Sequence, residues 1–449
     1  MSDRGRLDLI ATRIAARAPR PEGDSSVITR RADPRRSPLS PQQLAAWRHQ
    51  RDHPDSTLNN LPLRLTVPGP VDVAKLFAAV RELGVRHEIL QTTYRVVDGV
   101  PVSTVNDTLE PRCEVVRLGN PPPADRSRVV DDAIRSRARE PFALDAEAPL
   151  RVTVFELEDG PTEVLLLFHH IVWDSGTFAV VTAELDLLYA GAVPPPQTLH
   201  YGDFTAHLDD RRHLQRDLDY WTNRLTPPPR LPFRPLGARQ PLPLTGDRHD
   251  RSITASLRNG LTACARRHAT SKFVAFTAAL ATVLGRILPV EEVTVGVLTS
   301  RREHPATADA VGDFSNLLTL RIAATGDLDR VVGAVEREFR NALAHSSTHY
   351  ETLSEQLPQL GNASAPAAFD IIVVFIEGDL TGPTLGHPTT TWARADNGGI
   401  QFPMVPLAIE VFLRERDPQI QFTYSPSLVD RDLVLAIADA LETTEGRQP

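Results

Sequence analysis

The chain has 449 residues, of which 41% are hydrophobic and 24% are charged, and its formal net charge is −8. This length predicts roughly two or three domains, or one large unit of two lobes, and the composition excludes a fully disordered chain. The negative charge gives no attraction to phosphate groups, so we expect neither nucleic acid nor a membrane as a partner. The chain has two cysteines, Cys113 and Cys264, which are too few for a disulfide framework.

Residues 1–36 are predicted to form a flexible N-terminal extension. Residues 7–17 have apolar side chains at helical spacing, and the next stretch is rich in Pro, Arg and Asp, which is typical of a linker. An alternative is that the short helix docks a partner protein. The N-terminus lacks the continuous apolar core of a signal peptide, so we expect a cytoplasmic protein.

Residues 37–218 are predicted to form a first lobe of alternating helices and strands, with tight turns at Asp98-Gly99 and Asp159-Gly160. Ser40 is the predicted N-cap of the first helix. The predicted helices cover 40–50, 71–85, 125–139 and 175–190, and the predicted strands cover 62–67, 89–97, 100–105, 150–157 and 163–169.

Residues 219–449 are predicted to form a second lobe, in which the pattern of helices and strands starts again after an exposed helical stretch at 201–225 and a proline-rich crossing. The longest apolar stretch, 273–284, is too short to span a bilayer and is predicted to be a buried helix. Two α/β blocks of similar size favour a ligand site between two lobes. The predicted helices cover 259–268, 272–287, 328–345 and a last one from 430, and the predicted strands lie near 253 and at 292–298, 316–323, 369–375, 407–413 and 420–424.

The segment LLLFHHIVWDSGTF carries the clearest candidate chemistry. A buried strand ends in His169 and His170, Asp174 follows, and Ser175-Gly176 opens a helix. Alternation along a strand points the two histidines to opposite faces, so only one of them can face a given cavity. A histidine suits proton transfer at neutral pH, and free N–H groups at the start of a helix can stabilise a developing oxyanion.

Other interpretations of this segment stay open on spacing alone. The histidine pair can be structural, packed in the core or on the surface beside a local Asp. The spacing can also suggest metal ligands, but no other His, Cys or acidic cluster is near in the sequence, so we expect no metal. The chain contains no G-x-S-x-G elbow, no P-loop and no dinucleotide-binding glycine fingerprint.

The sequence HHIVWDSG resembles the HHxxxDG signature of the condensation domains of nonribosomal peptide synthetases, in the superfamily of chloramphenicol acetyltransferase. In the first lobe, SPQQLAAW resembles the opening helix motif of that family, RHEILQTTY resembles RHxxLRTxF, and YGDFTAHL resembles YxDFAxW. In the second lobe, VGVLTSRR resembles IGTPVANR, VGDFSNLLTLR resembles IGxFVNTLxLR, and HSSTHYETLSEQL resembles HQDxPFExLVExL. The resemblance therefore covers nearly the whole chain.

The resemblance implies an α/β (α+β) fold of two chloramphenicol acetyltransferase-like lobes in a V-shaped pseudo-dimer with a central tunnel. It also implies that carrier proteins deliver donor and acceptor thioesters on phosphopantetheine arms, with no cofactor bound to the chain itself. His170, the second histidine of the motif, would lie in the tunnel and assist attack on the donor thioester, and His169 would point away from it. Asp174 would be structural and would pair with Arg302.

The motif departs from the family pattern beside this site. Ser175 stands where the family has Gly, with Gly176 one position later, and Trp173 replaces a smaller residue. We expect a negative φ at Ser175, because a Cβ resists the left-handed region, and an N–H of Ser175 or Gly176 directed at the tunnel. Trp173 is expected either to line a tunnel mouth or to pack in the core under the helix.

These features predict a free-standing condensation enzyme of secondary-metabolite biosynthesis, since no adenylation motif and no carrier-protein Gly-Gly-x-Ser occur in the chain. It would form an amide or an ester from an acyl or aminoacyl thioester on a carrier protein, supplied in trans, and an amine or alcohol nucleophile. The nucleophile would be carrier-bound or a free small molecule. The alternatives are a coenzyme A-dependent acyltransferase of the same superfamily and a non-catalytic, condensation-like scaffold that recruits other enzymes.

Overall fold

The computed structural model describes two lobes built from helices and strands. The described residues are 28–208, 212–226, 231–233, 245–302, 304–357, 361–362, 365–366, 368–395, 400–401 and 405–444, so the predicted helix at 7–17 lies outside them. The helices are α1 (Pro41–Asp52), α2 (Val73–Arg86), α3 (Arg126–Ala138), α4 (Ser175–Tyr189), α5 (Tyr201–His207), α6 (Leu214–Leu225), α7 (Ala255–Arg267), α8 (Lys272–Ile287), α9 (Leu328–Ala344), α10 (Tyr350–Gln356) and α11 (Arg431–Thr444). The strands are β1 (Arg36–Pro38), β2 (Asn60–Val67), β3 (Thr92–Val97), β4 (Val100–Val105), β5 (Arg112–Gly119), β6 (Leu150–Leu157), β7 (Thr162–His169), β8 (Thr245–Ser252), β9 (Glu292–Ser300), β10 (Ser315–Ala323), β11 (Gly361–Asn362), β12 (Ala365–Pro366), β13 (Ile371–Glu377), β14 (Thr391–Arg394), β15 (Ile400–Gln401), β16 (Leu407–Leu413) and β17 (Gln419–Tyr424).

The first lobe is built on a sheet with the strand order β14-β2-β7-β6-β5. Strand β7 is buried at every position from Glu163 to His169, as expected for a strand that is covered on both faces. Its apolar core includes residues of α2, α3 and α4, such as Leu83, Ile134 and Val181. This packing holds β7 rigidly, and its C-terminal residue His169 lies opposite Asn60 of β2.

Two local sequence signals in the first lobe, the Asp98-Gly99 turn and the Ser40 cap, are confirmed. Asp98 and Gly99, between β3 and β4, have φ angles of 51° and 81°, the left-handed pair that a type I′ turn requires. The Ser40 hydroxyl accepts a hydrogen bond from the Gln43 N–H at 3.1 Å, and the Gln43 side chain accepts one from the Ser40 N–H at 3.2 Å. Ser40 is therefore the N-cap of α1, in a reciprocal capping box.

The described part of the predicted N-terminal extension contacts the first lobe. The Arg31 guanidinium lies 2.7 Å from the carboxylate of Glu88 and 3.0 Å from that of Asp203, and its side chain is only 4% exposed. Strand β1 pairs antiparallel with β4. Two carboxylates thus compensate one buried cation and fix residues 28–38 against α5 and β4.

The second lobe is built on a larger sheet with the strand order β10-β9-β13-β16-β17-β8-β15. Helix α8 is buried at every position from Val274 to Leu284, which confirms the predicted buried helix. Among the described residues, no single helix is long and apolar enough to cross a membrane, whereas α7 and α8 pass that test only as a pair bent by 110°. The buried apolar residues of α8 belong to the apolar core of this lobe.

The chain passes from one core to the other between α5 and α6. Leu208 packs against the core of the first lobe and Leu214 against that of the second, and the predicted boundary at residues 218 and 219 falls inside α6. The helical part of the prediction for 201–225 is confirmed by α5 and α6, but the predicted exposure is wrong at Tyr201 and Trp221, which are 2% and 3% exposed. Each ring is covered by residues of the second half of the chain: Trp221 Nε1 donates to the His345 carbonyl, and the Tyr201 ring contacts Phe314.

Two segments of the second half of the chain pack into the core of the first lobe. Residues 306–314 contribute Val311 and Phe314 to it, and residues 380–395 contribute Leu385 and Trp392. The second segment also contains β14, which pairs antiparallel with the edge strand β2. The lobes are therefore interlocked, and the end of β7 lies where the first of these segments crosses.

Candidate active site

The two histidines of the motif lie at the C-terminal end of β7, just before α4. His169 is completely buried, its Nδ1 accepts the Ile171 N–H at 3.1 Å, and its Nε2 lies 3.4 Å from the side-chain oxygen of Gln50. The Phe142 ring meets it edge-on. Burial, with the nearby positive charges, lowers the pKa of His169 to about 3, so its ring is neutral and has a structural position.

His170 has the opposite surroundings, as strand alternation predicts. Its N–H donates to the Asn59 carbonyl at 2.7 Å, which fixes the backbone, while 46% of its side chain is accessible. Its Nδ1 lies 3.5 Å from Oδ2 of Asp313. Because Nδ1 faces this carboxylate, Nε2 is the ring nitrogen left for a substrate.

Desolvation by the surrounding protein has the largest influence on the pKa of His170 and acts downward, although part of the side chain is accessible. The contact with Asp313 and its negative charge outweigh burial, and the pKa of His170 is raised, although the charge of Arg394 opposes this.

Sequence reasoning missed Asp313, which is contributed by the second half of the chain. Its residue surface is 5% exposed, and its Oδ1 accepts hydrogen bonds from the Ser315 N–H at 3.0 Å and the Ser315 hydroxyl at 2.6 Å. Its carbonyl accepts the hydroxyl of Tyr201. In the segment VGDFSNLLTLR, Asp313 occupies the position that the resembling motif IGxFVNTLxLR leaves variable, so a family motif gave no signal for it.

The predicted pair of Asp174 and Arg302 is present. The guanidinium binds both oxygens of the carboxylate, with Nη2 at 2.8 Å from Oδ1 and Nε at 3.0 Å from Oδ2, and the two side chains are 7% and 5% exposed. Asp174 is also the N-cap of α4, because its Oδ1 accepts the Thr177 N–H at 2.7 Å. The Phe314 N–H donates to Oδ2 at 3.2 Å. The Asp174 carboxylate thus joins the start of α4 to Arg302, which follows β9, and to Phe314, which directly precedes β10.

Ser175 and Gly176 form the first positions of α4. The φ of Ser175 is outside the left-handed region, as predicted, and its side chain is exposed. A Cβ on Gly176 would lie only 2.4 Å from Arg302 Nε, so the close approach that requires a glycine occurs at this second position. Within the described ranges, no group accepts a hydrogen bond from the N–H of Ser175 or of Gly176. These two donors are free for a ligand.

The Trp173 ring packs against other aromatic rings of the first lobe. Its ring lies 4.3 Å from the Phe168 ring and 6.0 Å from that of Phe178, which in turn lies 4.7 Å from Trp392 of β14. It is partly buried against the core of the first lobe. The row of aromatic rings therefore supports the end of β7, directly before His170.

Together these residues provide an accessible imidazole with a carboxylate near one nitrogen and, at the start of the helix that follows in the chain, two backbone N–H groups without an acceptor among the described residues. An imidazole can accept a proton from an attacking nucleophile, and backbone N–H groups can stabilise the oxyanion that attack on a carbonyl creates. This combination suits acyl transfer.

Comparison with known proteins agrees with this chemistry. A family model described as Condensation domain matches residues 35–444. CymA of Salinispora arenicola (strain CNS-205), described as a probable non-canonical nonribosomal peptide synthetase, is 30% identical over 338 residues, which are 71% of this chain and 4% of that protein. The chain thus spans a small part of the length of this curated relative.

Two solved structures have a similar fold. The condensation domain from the Monacolin K polyketide synthase MokA matches with a TM-score of 0.76 and 19% identity, covering 92% of this chain and 98% of that one. The X-domain, in a complex with OxyB from teicoplanin biosynthesis, matches with a TM-score of 0.77 and 21% identity, covering 96% of both chains. Both likenesses support the two-lobed, chloramphenicol acetyltransferase-like fold.

Proposed function

The chain belongs to the condensation-domain family, and from that premise we propose that it joins an acyl or aminoacyl group, carried as a thioester, to an amine or alcohol. The product is an amide or an ester. The observation that carries this proposal is the position of His170, which is accessible at the junction of the two lobes while its neighbour His169 is buried.

In the proposed reaction, His170 Nε2 accepts the proton of the nucleophile as its nitrogen or oxygen attacks the thioester carbonyl. The free N–H groups of Ser175 and Gly176 are candidates to stabilise the oxyanion. Collapse of the tetrahedral intermediate breaks the C–S bond, and the imidazolium returns its proton to the leaving thiolate. The general-base step contributes about 10²–10⁴ in rate, and holding both reactants together contributes up to about 7–11 kcal/mol.

We further propose that the thioester is held on the phosphopantetheine arm of a carrier protein. Family membership supports this choice, and so does the description of CymA as a nonribosomal peptide synthetase. Coenzyme A presents the same pantetheine thiol, so the donor test must compare the two.

A recruitment scaffold is the second candidate, because the similar X-domain was solved in a complex with OxyB. A scaffold has no need of an accessible imidazole with a buried carboxylate beside it. The contact between His170 and Asp313 therefore favours catalysis over recruitment.

The test is mass spectrometry of carrier proteins loaded with acyl or aminoacyl groups, incubated with the enzyme and a panel of amines and alcohols. Parallel reactions with the corresponding coenzyme A thioesters identify the donor. Product formation only with coenzyme A thioesters would contradict the carrier-protein donor, and no product with either donor would favour the scaffold.

The His170→Ala variant tests the base in the same assay. We expect turnover to fall by about 10²-fold or more, because the variant lacks the imidazole that accepts the proton of the nucleophile. His268→Ala removes a histidine of the second lobe that pairs with the exposed Asp329, so it is the matched control and should keep full activity. Normal turnover by a folded His170→Ala enzyme would exclude the base role.

A further inference from the structure

We propose that Asp313 is a positioning residue for His170, which holds the imidazole with its proton on Nδ1 and its lone pair on Nε2. The pair would act as a His–Asp dyad whose carboxylate comes from a segment of the second half of the chain. This inference rests on the proposed role of His170 as the base, and it adds a residue that the HHxxxDG motif does not contain.

The geometry sets the tautomer of His170. A neutral imidazole carries one N–H, and the nitrogen that faces a carboxylate keeps it. Oδ2 of Asp313 lies 3.5 Å from Nδ1, so the proton stays there and Nε2 is the basic nitrogen. The opposite tautomer would point a lone pair at a negative charge.

The carboxylate is itself fixed in place. Ser315 donates to its Oδ1 through both its N–H and its hydroxyl, and the Tyr201 hydroxyl donates to the Asp313 carbonyl. These bonds leave Oδ2 directed at His170. Because this carboxylate is held in one orientation, it can orient the ring without a further loss of conformational entropy during the reaction.

The surroundings of Asp313 favour a positive charge on His170 during catalysis. Asp313 is 5% exposed, and in the part of the chain that the structure describes no Lys or Arg lies within ion-pair distance of it. A buried carboxylate without a cation is costly. When His170 takes the proton of the nucleophile, the imidazolium becomes that cation, so Asp313 stabilises the charge that develops during attack.

The charged groups that face His170 define a pH test. Asp313 and the backbone carbonyl of His170 raise its pKa, whereas burial and Arg394 lower it, and the adjacent His169 is neutral. Because a base must be unprotonated, the acid limb of the kcat/KM profile follows the pKa of His170. Loss of Asp313 should therefore move that limb to lower pH, and loss of Arg394 should move it to higher pH.

The experiment combines kcat/KM profiles with an NMR titration of the His170 ring in the wild type and three variants. In Asp313→Asn we expect a lower pKa of His170 and a fall in kcat of about 10-fold or more, because the amide can donate to Nδ1 and select the wrong tautomer. In Arg394→Gln we expect a higher pKa. Asp329→Asn removes a carboxylate from the surface pair with His268 and should change neither.

The NMR readout needs no substrate, so it separates this inference from the proposed function. A wild-type ring that titrates below the ordinary histidine range, or that carries its proton on Nε2, would overturn the dyad even if Asp313→Asn fails to fold. An unchanged pKa in folded Asp313→Asn would overturn it as well. A shifted pKa in a protein that makes no product would support the dyad and count against the condensation activity alone.

Discussion

The two adjacent histidines show how the same type of side chain can have two different roles at the end of a strand. His169 points into the core, where burial lowers its pKa to about 3 and the Ile171 N–H occupies its Nδ1. His170 points to the opposite side, where the Asp313 carboxylate raises its pKa. The strand period of two residues separates them, so His169 is the support and His170 the reactive group.

At the same scale, the serine that replaces the family glycine can be tested against the glycine that follows it. Ser175 is exposed and has no left-handed strain, so Ser175→Gly should keep activity within a few-fold. In Gly176→Ala the new Cβ would lie 2.4 Å from Arg302 Nε and displace the guanidinium from Asp174, so activity should be lost. Product yields over a panel of amines and alcohols measure both variants.

The outcome of that panel also decides whether Ser175 sets specificity. An unchanged range of nucleophiles in Ser175→Gly would show that the side chain only replaces the glycine, whereas a changed range would assign it to the acceptor site. An inactive Ser175→Gly enzyme would contradict the view that the substitution is tolerated.

At the scale of an element, the start of α4 depends on a single carboxylate. Asp174 caps the helix through the Thr177 N–H, binds the Arg302 guanidinium at two atoms and accepts the Phe314 N–H. The same residue therefore sets where the helix begins and holds it against the second half of the chain. Its loss would affect stability and the geometry of the site together.

Asp174→Ala should therefore destabilise the fold as well as reduce activity. Removing one partner of a buried pair leaves the other charge uncompensated and costs about 3–5 kcal/mol, whereas an exposed pair contributes about 0–1 kcal/mol. Asp329→Ala, which breaks the exposed pair with Arg267, is the matched control. Denaturant unfolding of both variants measures the difference, and equal stability of Asp174→Ala and wild type would refute a structural role.

Elements with local signals could be predicted from the sequence. The Asp98-Gly99 turn, the Ser40 cap and the buried run in α8 each depend on residues that are close in the chain. Asp313 could not be predicted, because its partner is more than a hundred residues away and its position in the motif is variable. The burial of Tyr201 was missed for the same reason, since the Phe314 ring that covers it belongs to the distant crossing segment.

At the scale of the whole molecule, the first lobe is completed by residues from the second half of the chain. Strand β14 extends its sheet at β2, and Leu385 enters its core. Leu385 has a φ of 47°, in the left-handed region that costs roughly 1–2 kcal/mol for a residue with a Cβ. Such a backbone persists only where its surroundings fix it.

Asp186 of α4 provides that fixation, and its removal should loosen the connection between the lobes. Its carboxylate accepts the Thr384 N–H at 2.8 Å, the Thr384 hydroxyl at 2.9 Å and the Leu385 N–H at 2.9 Å. In Asp186→Ala these donors lose their partner, which costs about 1–3 kcal/mol. We expect a lower unfolding free energy and faster amide exchange in residues 384–394, while the second lobe keeps its protection.

The control for this last variant is Asp132→Ala, which removes an exposed carboxylate from α3 of the same lobe and should leave exchange in 384–394 unchanged. Strand β14 also contains Arg394, whose charge lowers the pKa of His170. If the loss of Asp186 loosens residues 380–395, the pKa of His170 should therefore rise in Asp186→Ala. The titration of the His170 ring therefore reports whether residues 380–395 stay packed against the first lobe. Unchanged exchange and an unchanged titration in Asp186→Ala would show that β14 pairing alone holds the segment in place.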